Sequence, residues 1–118
     1  MIEIQDALRK KEIWAIGGGK LEFGVPVEQT LRNEIHEEYG AKVLSYEFLG
    51  YRDVHRVLDG KKSHWIALDY KVFVDPLRVR NAEPHKFSEI RWFPANVLPS
   101  PLHSQLPIFL QKYASKLP

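Results

Sequence analysis

Three consecutive glycines, Gly17-Gly18-Gly19, limit what this chain can build at that point. Each glycine inside a helix or strand costs about 0.5–1 kcal/mol against alanine, so the run marks a loop that needs a permissive backbone. Ahead of it, Ile2 to Ile4 and Glu12 to Ile16 are short and strand-like. Behind it, Val27, Leu31, Ile35 and Tyr39 recur every four positions, Pro26 suits a first helical turn, and Gly40 suits a left-handed cap. The spacing predicts a helix over 26–39.

The rest of the chain alternates in type. Residues 43–57 are rich in β-branched and aromatic side chains and end at Asp59-Gly60, a tight-turn pair, which predicts a hairpin. Its second arm, 64–74, carries Ile66, Leu68, Tyr70, Val72 and Val74 on one face and Trp65, Ala67, Asp69, Lys71 and Phe73 on the other, the pattern of a central strand. A loop over 75–86, a strand over 87–93 and a proline-rich stretch follow. A last helix then starts near Ser104, its expected cap, with Leu106, Leu110, Tyr113 and Leu117 on one stripe. Strands combined with two helices give an α+β or α/β sandwich. At 118 residues the chain is one domain.

Composition excludes several classes of function. With no cysteine there is no disulfide framework and no thiolate nucleophile or ligand, which suits a reducing cytoplasm. A formal charge of +2 with dispersed Lys and Arg argues against a polymeric nucleic acid partner. No apolar run approaches the ~18 residues of a membrane span, and residues 1–6 lack the order of a signal peptide. The five histidines show no pair at metal-ligand spacing in the sequence, and neither a P-loop nor a serine nucleophile elbow is present.

The predicted central helix carries Glu34, Glu37 and Glu38, whose spacing gathers three carboxylates away from Leu31 and Ile35. Like charges four residues apart cost a helix about 0.2–0.5 kcal/mol, and negative charge near its C-terminus opposes the macrodipole. A divalent cation reverses both penalties, and a loop of small residues can bring a bare carbonyl to the same ion. A solvated acidic face balanced by Arg32 and Lys42 is the plain alternative. The glycine loop just ahead of the helix favours the cation.

Together, Trp14-Ala-Ile-Gly-Gly-Gly-Lys-Leu-Glu-Phe-Gly24 and Asn33-Glu-Ile-His-Glu-Glu-Tyr-Gly-Ala41 resemble the Nudix box. Gly19 opens it, and Glu34, Ile35, Glu37, Glu38 and Gly40 fall in register. His64 to Tyr70, Glu83 to Lys86 and Ile90 to Phe93 also resemble the later segments of MutT-like members. The resemblance implies a single Nudix domain over 1–118, an α/β/α sandwich with a mixed sheet, a loop-helix-loop motif and a C-terminal helix. It implies hydrolysis of a diphosphate linkage in a nucleoside triphosphate or nucleoside diphosphate derivative, ADP-ribose and nucleotide sugars included, with Mg2+ or Mn2+. By the same resemblance Glu34 and Glu38 are principal metal ligands, Glu37 a further ligand or water-orienting group, and Gly18 a carbonyl donor. This agrees with the chemistry, since transfer of a phosphoryl group to water needs developing charge neutralised and a water polarised.

Two box positions differ: Val25 replaces the first glutamate and Asn33 the arginine. In the family those side chains brace the loop and helix, so their joint replacement exchanges scaffold charges for neutral contacts. Relatives usually have a further strand before the Trp14 segment, and the shortness here suggests an edge that a second subunit of a homodimer could supply. Candidate substrate contacts are Trp14, Lys20 and Glu83, the last equally well a plain loop carboxylate. Trp65 and Trp92 read as packing residues. Arg52, Arg56, Lys61 and Lys62 could meet a phosphate tail or simply solvate the hairpin. Besides a hydrolase, the sequence admits a nucleotide-binding module with an impaired box, and a structural protein in which the acidic helix is only surface.

Overall fold

The glycine loop separates a strand pair from the first helix, as its backbone freedom requires. The computed structural model describes residues 3–10, 13–94 and 97–117, and of residues 3–10 and 13 the backbone alone. The elements run β1 (Glu3–Lys10), β2 (Ile13–Ala15), α1 (Val27–Tyr39), β3 (Ser45–Leu58), β4 (Lys61–Phe73), a short 3-10 turn (Pro76–Arg78), β5 (Glu89–Pro94) and α2 (Gln105–Lys112). One sheet has the order β2-β1-β5 and the other pairs β3 with β4. The strand pairings are antiparallel, and a parallel bridge joins Trp14 to Leu102. Among the described residues no helix is long and apolar enough to cross a membrane.

Two expectations change here. β1 runs over eight residues and lies between β2 and β5, so the strand expected ahead of Trp14 belongs to this chain and no second subunit is needed to supply it. β4, expected to be central, pairs among the described residues only with β3, and its outer half is exposed. Apolar residues on both faces suggested double burial, but the two apolar clusters cover only the base of the hairpin. Ile35, Tyr39, Ala41, Val43 and Phe87 meet Tyr46, Val72 and Val74, while Leu106, Phe109 and Tyr113 meet Leu49.

A bulge between Phe48 and Gly50 makes the second contact possible. It shifts the register from Phe48 opposite Tyr70 to Gly50 opposite Asp69, so the burial phase of β3 changes and Leu49, Arg52 and Val54 become its buried residues. Arg52 therefore enters the protein interior instead of the solvated hairpin. Its Nε and Nη2 donate to the two oxygens of Asp69 at 2.6 and 3.0 Å, and its Nη1 reaches Gln105 Oε1 at 3.1 Å. Asp69 also accepts from the Tyr113 hydroxyl at 2.7 Å. Burial, then the hydrogen bond to Asp69, pushes the Tyr113 phenol up to about 12. The network ties both hairpin strands to α2.

The last helix begins one residue after Ser104, whose side chain makes no capping bond. His103 takes that role, its Nδ1 accepting from the Gln105 N–H at 3.1 Å. A buried ion pair loses about 3–5 kcal/mol when one partner is removed, because the other charge stays buried. Asp69→Asn should therefore lower the urea midpoint far more than Tyr113→Phe, whose loss of one hydrogen bond costs about 1–3 kcal/mol. Equal shifts in the two denaturation curves would contradict the network.

Candidate active site

α1 presents its acidic residues to the glycine loop because of how its two ends are held. Pro26 opens it, its carbonyl accepting from Thr30 N–H at 3.0 Å. Gly40 closes it at φ 60°, ψ 21°, donating to His36 O at 2.9 Å. The carbonyls of Tyr39 and Glu38, left over at the C-terminal end, accept from Arg80 N–H at 2.9 Å and Ala82 N–H at 3.1 Å. The loop after β4 is thereby fastened to the helix end. Within that loop Asn81 receives Glu83 N–H at 3.2 Å and donates to Phe87 O at 2.7 Å, and Glu83 O accepts from Lys86 and Phe87 N–H at 2.9 Å each.

The three glutamates do not share one solvated face. Glu38 is buried at 1% exposure, Glu34 is half-buried and Glu37 is exposed. The i, i+4 pair Glu34 and Glu38 turns toward the glycines. A methyl group at Gly19 would collide with the Glu34 carboxylate, and one at Gly17 with the Glu38 carboxylate and Tyr39 hydroxyl. Gly18, between them, has open space around its Cα. Gly17 and Gly19 are glycine because carboxylates occupy the volume that side chains would need.

Electrostatics single out Glu34. Its carboxyl is raised above the ordinary 4.5, first by burial and then by Glu37, with Glu83 and Glu22 adding to the effect and Lys86 opposing it. Glu83, read from sequence as a substrate contact or a plain loop carboxylate, is thus within electrostatic reach of Glu34. Glu22 and Lys86 were missed as members of the group. Their signal was available only as position, in the segment after Gly19 and in the loop beside Glu83. Among the described residues no three carboxylate or imidazole groups already stand as a closed metal cluster. The donor set nevertheless fits a hard cation: the Glu34 and Glu38 carboxylates stand close against Gly19 and Gly17, on either side of Gly18, where an added Cβ would meet nothing.

The other predicted residues divide. Lys20 leaves the glycine loop with its Nζ 5.1 Å from the centre of the Trp65 ring. Trp14 is 6% exposed and packs edge-on to Phe93 at 5.0 Å, while its N–H and carbonyl pair with Pro101 and His103. Trp14 therefore anchors the approach to α2 and presents no open ring to a ligand, contrary to its expected role. Asn33, at the family's arginine position, is exposed and accepts from Gln29 Nε2 at 2.8 Å, a neutral contact one turn away. His55 and His64, unpaired by sequence spacing, face each other across the hairpin with rings stacked at 4.4 Å.

A NUDIX domain model matches residues 4–113. Among solved structures, a MutT NUDIX hydrolase from Burkholderia pseudomallei is similar at 28% identity and a TM-score of 0.77, over 89% of this chain and 84% of that one. A mutator MutT protein from Bacillus halodurans shares the fold at 24% identity and a TM-score of 0.67, over 92% and 69% of the two chains. The fold and the acidic helix behind a glycine loop thus define a MutT-like Nudix hydrolase. The chain belongs to the NUDIX family.

Glu34 supplies a pH test of this geometry. Because its folded-state pKa is raised, it favours folding while protonated and loses that contribution as pH rises above 4.5. Without divalent cation, Glu34→Gln should melt about 2 °C above the parent at pH 7, with the difference closing at pH 4. A variant that melts lower than the parent at pH 7 would contradict the assignment.

Proposed function

We propose that the protein is a divalent-metal-dependent pyrophosphohydrolase acting on a nucleoside triphosphate or a nucleoside diphosphate derivative. The observation that carries this reading is the close approach of Gly17 and Gly19 to the carboxylates of Glu38 and Glu34. Sequence economy supports it too. A surface helix gains nothing from one carboxylate buried at 1% exposure and a second held above its ordinary pKa.

In this reading Glu34 and Glu38 hold Mg2+ or Mn2+, the Gly18 carbonyl is the main-chain donor, and Glu37, exposed on the next turn, is the further ligand or water-orienting group. The bound cation would neutralise charge on the diphosphate and make a water acidic enough to attack it. Glu83, whose charge reaches Glu34 from the loop after β4, stands as a carboxylate able to receive the water's proton. Lys20, adjoining the loop, is placed to meet a phosphate. The substrate is a small nucleotide rather than a polymer, and the absence of cysteine supports a cytoplasmic setting.

A second reading, a nucleotide-binding module without turnover, draws on Val25 and Asn33. The two separate by product release from nucleoside triphosphates, ADP-ribose, nucleotide sugars and dinucleoside polyphosphates with Mg2+ or Mn2+. The hydrolase reading expects metal-dependent turnover that falls at least about tenfold in Glu38→Gln. Ligand-induced stabilisation without turnover on any compound would instead establish the binding module.

The glycines give an independent check. Gly19→Ala should displace the flexible Glu34 carboxylate and cost about tenfold or more in turnover with little loss of Tm, whereas Gly18→Ala should change it by no more than about twofold. Equal effects of the two substitutions would remove the glycine loop from the mechanism.

A further inference from the structure

We infer that Trp65 is the side chain on which the aromatic group of the substrate stacks, a specificity residue for a planar heterocycle carried on a diphosphate. This rests on the hydrolase reading for the position of the diphosphate, and on the hairpin for the ring.

Of the three tryptophans, Trp14 lies in the core, Trp92 is half-buried in β5, and Trp65 is 44% exposed. Trp65 sits on the inward face of β4, opposite Val54, a residue buried at 4%. Its ring therefore stands where buried surface gives way to solvent. The indole N–H donates to Ser63 Oγ at 3.0 Å, so its polar edge has a partner, and over its π face stands the mobile ammonium of Lys20 at 5.1 Å.

Two contacts connect this ring to the carboxylates. Gly19 is pressed against Glu34, and the next residue, Lys20, lays its ammonium over Trp65. Consecutive Cα atoms are about 3.8 Å apart, so the acidic site and the ring are separated by one backbone step and one lysine side chain. That is the scale of a nucleoside diphosphate. Lys20 then sits between the two ends of the ligand, where a diphosphate can draw its ammonium from the ring and leave the face to a base. A lone phosphate or a sugar phosphate would use the lysine and not the ring.

The test compares binding of ATP, GTP and ADP-ribose with base-free tripolyphosphate, followed by tryptophan fluorescence and by calorimetry with Ca2+ present. Turnover of the same compounds is measured in parallel with Mg2+. The three nucleotides should quench the parent and the Trp92→Phe variant, and the quench should disappear in Trp65→Phe while affinity stays within about threefold. Trp65→Ala should weaken nucleotide binding about tenfold or more without altering tripolyphosphate binding. Nucleotide affinity unchanged in Trp65→Ala, a quench that survives Trp65→Phe, or no quench by any nucleotide overturns the assignment. Turnover without a Trp65-dependent quench would keep the hydrolase and reject the subsite. A Trp65-dependent quench without turnover would keep the subsite and reject the hydrolase.

Discussion

The ion pair between Arg52 and Asp69 joins the two hairpin strands and, through Gln105 and Tyr113, holds them to the last helix. A two-stranded ribbon is marginal alone in water, and this one is exposed on both faces beyond Val54. It is ordered because its base is gripped twice. One grip is apolar, against the cluster around Ile35 and Tyr39, and the other is polar, through a carboxylate that receives two guanidinium donors and the Tyr113 hydroxyl. Burying charge in this way is costly unless every partner is in place, so the pair specifies one position of α2 more than it adds stability. The bulge near Gly50 is part of the same device, since without it Arg52 would point to solvent.

The acidic helix is governed by the opposite condition. Its carboxylates at Glu34 and Glu38 press against the backbone of Gly19 and Gly17, where a side chain would leave no room for them. This arrangement leaves Glu34 with an elevated pKa, a position that Lys86 relieves only in part. Such local cost recurs at sites that do chemistry, where charge is kept in reserve for a ligand. The neutral Gln29 and Asn33 contact lies on the exposed side of the helix, one turn before Glu37.

Much of this was legible in the sequence, and the misses have identifiable causes. The helix over 26–39, its glycine cap, the hairpin turn and the apolar stripe of the last helix follow from period and capping chemistry, which are local. The burial of Glu38 was not legible, because helical spacing says which side chains share a face and not whether a loop folds over them. Arg52 reads from sequence as a phosphate contact or a solvated hairpin residue, since a bulge reverses facing without leaving a mark in the alternation. Trp14 was placed at the substrate by proximity in sequence to the glycines, while Trp65 was placed in the core by its position in a strand. For Trp14, chain neighbours were taken for spatial neighbours; for Trp65, the hairpin runs on past the clusters that cover its base. The extent of β1 was underestimated because its polar residues, Gln5 and Asp6 among them, mask any alternation.

The fastening of Arg80 and Ala82 to the last carbonyls of α1 bears on how this chain can vary. Everything between Asp75 and Val79 lies outside the two points that fix Glu83 relative to Glu34: the strand end before it and the helix cap after it. Length could be gained or lost in that span without moving either carboxylate, because the helix end resets the chain's course before Glu83 is reached. The segment thus gives the fold a place to acquire new surface while the spacing of Glu34 and Glu83 is held constant.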